Sequence, residues 1–179
     1  MLKDELARQL LAILFAAREP VDFSDLEVVF PDVSSIDLEA SVENLIRDFN
    51  SLVPCLEIRR IAGGLRITTL AEYHQIVHEY LKTKPSAKLS LAALETLAVI
   101  AYKQPVTLPE IMEIRGIKST STIRTLLEKG LIETRGRKKV VGRPIRYGTT
   151  REFLVHFGLG DLKDLPTLEE FQEILDNSN

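Results

Sequence analysis

His74 and His78 stand four residues apart, the spacing that puts two imidazoles on one helix face and can supply two zinc ligands. A metal centre needs a third ligand, no HExxH pattern accompanies the pair, and His156 lies in a different domain. The two are therefore read as surface or structural histidines, and no metal site is expected. Cys55, the sole cysteine, follows Pro54 at a strand entrance with no histidine nearby, which suits a small buried hydrophobe better than a nucleophile. A single cysteine also excludes an intrachain disulfide framework. Neither a glycine-rich phosphate loop nor a Ser-His-Asp arrangement occurs in a recognisable context. Glu169, Glu170 and Glu173 form a charge run that reads as a solvated helix face. These residues point to a non-enzyme without catalytic residues, cofactor or small-molecule substrate.

The stronger chemistry is electrostatic. Between Arg115 and Arg151 eleven Lys and Arg face two Glu, a net +9 within a 179-residue chain of net charge −3. Arg135, Arg137, Lys138 and Lys139 cluster at what reads as a hairpin tip, with Arg143 beyond them. Mobile cations on an edge can touch a phosphate backbone without reading bases, and they suit an acidic protein equally well. The preceding helix offers Lys118, Ser119, Thr122 and Thr125 outward, with no Asn, Gln or aromatic placed for base-edge readout.

The elements that must carry these residues come in two copies. Leu14 to Leu26, centred on Pro20-Val21, reappears about 85 residues later as Val99 to Ile111, centred on Pro105-Val106. That spacing suits a duplicated small domain. In the first copy Leu6, Leu10, Ile13, Leu14 and Ala17 recur at helical spacing up to Pro20. Ser24 opens a short second helix, and Ser34 or Ser35 caps a third with Val42, Leu45, Ile46 and Phe49 on one face. Leu56–Ile61 and Leu65–Thr69 alternate around Ala62-Gly63-Gly64 as a hairpin. Three helices and a hairpin make a winged helix. A further helix, Leu70 to Leu81, runs into the polar linker Lys82–Lys88.

The second copy repeats this order. Ser90 caps its first helix, Thr107 and Pro109 open the second, and Gly116 closes it. Ser119 opens the third, in which Ile123, Leu126 and Leu127 face inward, and Gly130 stops it. Strands Leu131–Thr134 and Ile145–Tyr147 flank a tip from Arg135 to Arg143. Phe153, Leu154, Phe157 and Leu159 form an apolar cluster, and the acidic tail sets Leu168, Phe171, Ile174 and Leu175 on one helix side. The expected fold is mainly α with small β-hairpin wings, as two tandem winged-helix domains. Residues 1–81 form domain one, 82–89 a linker, 90–165 domain two and 166–179 a tail helix.

Two helices carry more apolar surface than one small core covers. Leu11 and Phe15 extend the stripe of the first helix, and Leu97 to Ala101 is apolar all round, so each should meet another surface. The third helix of the first copy presents Asp37, Glu39, Glu43 and Asp48, which would repel phosphate. No apolar run approaches the roughly 20 residues of a membrane span, and the acidic start is unlike a signal peptide, so a cytoplasmic protein is expected.

Ala92 to Val106, Glu110 to Gly116 and Gly142 to Thr150 resemble the segregation and condensation protein B family. Phe153, Phe157-Gly158-Leu159 and Asp164-Leu165-Pro166 extend the resemblance, which is specific over roughly residues 90 to 165. It implies a non-catalytic, nucleoid-associated subunit of a condensin-like SMC complex acting in chromosome condensation and segregation. It further implies a homodimer formed largely through the first domain and binding of the kleisin subunit that bridges the SMC ATPase heads, with DNA reached indirectly. On this expectation Leu11 and Phe15 help hold the dimer. Leu97, Ile100, Ala101 and Tyr102, rimmed by Arg115, Arg143 and Tyr147, engage kleisin. The rival reading is a dimeric winged-helix transcription regulator whose basic wing touches DNA.

Overall fold

The computed structural model describes residues 4–81, 89–116, 120–167 and 170, and among them lie eight α-helices and five strands. The linker Lys82–Lys88, the Ser119 cap and the tail positions Leu168, Phe171, Ile174 and Leu175 lie outside the described residues. The chain divides into two units, residues 1–86 with 158–179, and residues 87–157.

In the first unit α1 (Glu5–Ala16) starts where the Asp4 carboxylate accepts from the Leu6 N–H at 3.2 Å. Its Ala7, Leu10 and Leu14 fall on one face and are buried. Next, α2 (Phe23–Val29) begins with Asp22 in the cap position, so Ser24 lies inside the helix instead of capping it. Helix α3 (Ser35–Leu52) is capped by Ser34, whose hydroxyl accepts from Asp37 N, and it buries Leu38, Val42, Leu45 and Phe49. Ile46 is only half-buried against this core. The wing is β1 (Leu56–Ile61) paired antiparallel with β2 (Gly64–Thr69). Asn50 of α3 anchors it by accepting from Ile58 N at 2.7 Å and donating to the Ile58 carbonyl at 3.2 Å. Burying side chains such as Leu10, Leu26, Leu38, Leu45 and Ile58 contributes about 1.5–3 kcal/mol each. A 3-10 turn (Ala71–Tyr73) then leads to α4 (His74–Leu81).

The second unit runs α5 (Leu91–Lys103), β3 (Val106–Thr107), α6 (Leu108–Arg115), α7 (Thr120–Glu128), β4 (Ile132–Arg137), β5 (Ile145–Thr149) and α8 (Arg151–Phe157). Ser90 caps α5 through Ala93 N, and Gly116 ends α6 at φ 67°, a conformation glycine adopts without steric cost. The sheet order is β3-β5-β4.

Each Pro-Val of the repeat performs the same structural task. Val21 exchanges both backbone hydrogen bonds with Leu65 of the first wing, at 2.8 and 2.9 Å, and Val106 pairs with Tyr147 of the second. Both units are thus three helices with a wing whose second strand is joined by the residue after the proline. Gly64 is required beside the first of these pairs, because a Cβ there would lie 2.9 Å from the Val21 carbonyl oxygen and 3.0 Å from Pro20 Cβ.

Four readings are corrected. Arg135 and Arg137 belong to strand β4, which runs further than the sequence suggests, so the loop proper spans 138–144. Leu127 is 37% exposed, since only Ile123 and Leu126 of α7 turn inward. Cys55 is exposed, its anchored atom being the carbonyl that accepts from Leu70 N at 3.1 Å. The cluster around Phe153 is divided: the Phe153 and Phe157 rings meet at 4.9 Å, tilted by 48°, whereas Leu159 contributes to the first unit. There the Leu159 and Gly160 carbonyls accept from the Ala62 and Gly63 amides at the wing turn, at 2.8 and 3.2 Å.

Candidate functional site

Helix α5 divides the expected kleisin-binding residues into two sets. Leu97, Ile100 and Ala101 are buried inside the second unit, as is Tyr147 on β5, so they support a surface from beneath and do not form it. The outward face of α5 carries Leu91, Leu94, Ala98 and Tyr102, all exposed, Tyr102 at 44%. These four lie within a narrow arc at the helical period, an apolar stripe along most of the helix.

Glu95 is the one charge in that arc, and it is paired. The Arg115 guanidinium, only 6% exposed, reaches from the end of α6 to the Glu95 carboxylate and to the Thr96 hydroxyl. Thr96 is itself fully buried and donates to the Ala92 carbonyl at 2.8 Å, so the network satisfies its buried polar atoms. Tyr102 follows Glu95 by two turns, about 10 Å along the helix. Arg143 stands exposed on the wing loop, where Gly142 and Arg143 itself have positive φ.

The end of α5 is fastened by Gln104. Its amide donates to the Thr149 hydroxyl at 2.9 Å and the Ala101 carbonyl at 3.1 Å, and its oxygen accepts from Thr149 N at 2.8 Å. Gly148 allows this approach, because a Cβ there would meet Gln104 Oε1 at 2.9 Å. Sequence reasoning missed Gln104 and Thr149 as partners, since they are 45 residues apart. The wing is fixed at Glu110, which accepts from Thr107 N at 2.8 Å and Thr107 Oγ1 at 2.6 Å. It also takes an ion pair from Lys138 at 2.6 Å. Lys138 first, and then Thr107, hold the Glu110 carboxyl down at about 2.

The first unit leaves Phe15 83% exposed at the end of α1, whereas Leu11 is partly buried against its own core. The His74 and His78 rings stack at 5.7 Å, and no group of three His, Cys, Asp or Glu that could hold a metal occurs among the described residues. No helix among them is long and apolar enough to cross a membrane.

The sequence model of the segregation and condensation complex subunit ScpB matches residues 8–168, across both units. The chain belongs to the segregation and condensation protein B family. The member from Clostridium tetani (strain Massachusetts / E88) is 41% identical over 162 residues, 90% of this chain and 85% of its own length. That from Desulforamulus reducens is 44% identical over 172 residues, 96% and 93% of the two chains. The crystal structure of ScpB from Mycobacterium tuberculosis is 32% identical, covering 87% of this chain and 96% of that one, with a TM-score of 0.41. Within this ScpB-family chain, the segments that carry the resemblance include Gln104, Glu110, Gly148 and Thr149, which hold α5, α6 and the wing in register.

Proposed function

We propose that this chain is the non-catalytic, tandem winged-helix subunit of a condensin-like SMC complex in chromosome condensation and segregation. It pairs with a second copy through the first unit, where Phe15 and the outer edge of Leu11 supply apolar contact. On the second unit it binds the kleisin subunit, segregation and condensation protein A, and stabilises its bridge to the SMC heads. The ATP chemistry belongs to SMC, through which chromosomal DNA is chiefly reached and the protein is held at the nucleoid.

The observation that carries the kleisin reading is the outer face of α5, apolar over Leu91, Leu94, Ala98 and Tyr102, with its single charge already neutralised by Arg115. Such a stripe suits an amphipathic helix laid alongside it, because burial supplies the affinity and no unpaired charge is trapped. Tyr102 and Arg143 give it an aromatic anchor and a cationic rim, residue types common among binding hot spots. Tyr102→Glu combined with Arg143→Glu should abolish kleisin capture in a pull-down while the melting curve stays that of the parent. Undiminished capture by the folded double variant would overturn the assignment.

A further inference from the structure

The basic wing of the second unit is not consumed by its own fold. Arg135 is paired with Glu133 at 2.8 Å and donates to the Thr149 carbonyl, and Lys138 is paired with Glu110. Arg137, Lys139 and Arg143 have no acidic partner among the described residues. Every residue from Glu133 to Arg143 is exposed, and Val141 at the extremity packs on nothing, at 104% exposure. The loop is nevertheless set. Arg137 Nη1 donates to the Arg143 carbonyl at 3.0 Å, Lys138 N to the Pro144 carbonyl at 2.9 Å and Arg143 N to the Val140 carbonyl at 2.9 Å. Three cations without an acidic partner among the described residues thus stand on a loop closed by its own hydrogen bonds and on the strand end that enters it.

A convex cationic end fits a phosphate backbone better than an acidic peptide. Peptides are held by grooves or along sheet edges; β4 is an edge strand, but it and the loop beyond it present exposed cations, and a nucleic-acid backbone is gripped from outside in that way. Helix α7, which packs on β4, adds the exposed hydroxyls of Ser121 and Thr125, and its one acid, Glu128, is paired with Arg124 at 2.8 Å. The first unit offers the contrast within the same molecule. Its wing turn is occupied by Leu159 and Gly160, and its α3 carries Asp37, Glu39, Glu43 and Asp48. We propose that the wing tip of the second unit, through Arg137 at the end of β4 and Lys139 and Arg143 on the loop, contacts the sugar–phosphate backbone of double-stranded DNA directly, without reading its sequence.

The test is fluorescence anisotropy of the full chain with a labelled random-sequence duplex, titrated between about 50 and 200 mM salt. Each phosphate contact adds about 0.9 to the log–log salt slope, so three contacts give a slope of about −3. Arg137→Gln with Lys139→Gln should reduce it to about −1 and weaken binding at low salt by about tenfold or more. Because Arg137 also braces the turn, Lys139→Gln alone is measured beside it and should remove about one unit of slope. Both variants should retain kleisin capture, which separates failure here from failure of the kleisin reading. The proposal is overturned by absence of duplex binding, by slopes unchanged in the variants, or by tighter binding of a glutamate-rich peptide at the wing. It is equally overturned if one defined operator sequence is strongly preferred over random duplex.

Discussion

Glu110 joins three elements through one carboxylate: it caps α6 through Thr107 and anchors the wing through Lys138. Half of this was legible, because Thr107 followed by Pro109 marks the opening of α6. The other half was not, since Lys138 lies 28 residues away and nothing local marks it as a partner. The same limit hid Gln104 and Thr149, a polar pair brought together only when β5 lies against the end of α5. Acid titration tests the Glu110 assignment. Its carboxyl is depressed from 4.5 to about 2, so its contribution to stability is complete above pH 4.5 and is lost as pH falls through about 2. Carboxyl shifts followed by NMR should therefore titrate near 2 in the parent and at higher pH in Lys138→Ala. A midpoint at the ordinary carboxylate value in the parent would contradict the ion pair and the cap together. Because both partners are partly exposed, added salt should weaken the Lys138 share.

At the scale of elements, the helix periods and the Pro-Val repeat were readable because each reflects local chemistry. Leu10, Leu14, Val42, Leu45 and Phe49 recur at the helical interval, and all are core residues. The residue after each proline joins the wing sheet, which explains why the repeat centres there. Strand ends were less legible, since Arg135 and Arg137 look like turn residues by charge yet lie in β4, where Arg137 pairs with Ile145 beyond an irregularity that contains Arg135. The α5 sequence is apolar all round, which by itself suggests that Leu97 and Ile100 line a docking groove. A period alone cannot tell which side faces the core, and the stripe through Leu91, Leu94, Ala98 and Tyr102 proved to be the outer one. The closure of the first wing by Leu159 and Gly160 had no sequence signal at all. It predicts that Gly160→Val, whose Cβ would stand 3.0 Å from Asp164 Oδ2 and 3.3 Å from the Arg60 carbonyl, detaches the strap. Hydrogen exchange should then quicken at the Ala62 and Gly63 amides while Ile58, inside the sheet, keeps its protection. Unchanged exchange at the turn would show that the strap does not shield it.

For the whole molecule, charge and apolar surface are distributed differently over the two copies of one fold. The first unit has acids on α3, an occupied wing turn and an exposed Phe15, a combination that favours a protein partner over phosphate. The second has an exposed apolar face on α5 and an exposed cationic wing. This division was legible early in the reversal of charge between the copies, because net charge is additive along a sequence, whereas exposure is decided by packing. A mutual contact through Phe15 predicts that Phe15→Glu converts a dimer to a folded monomer, since two carboxylates cannot be buried against each other without partners. Light scattering during gel filtration, of the protein alone and then mixed with its candidate kleisin, reads both contacts at once. The free protein should show a dimeric mass, Phe15→Glu a monomeric mass, and the parent a shift to a heavier complex when kleisin is added. A parent protein that elutes as a monomer and keeps that mass in the presence of kleisin would contradict both.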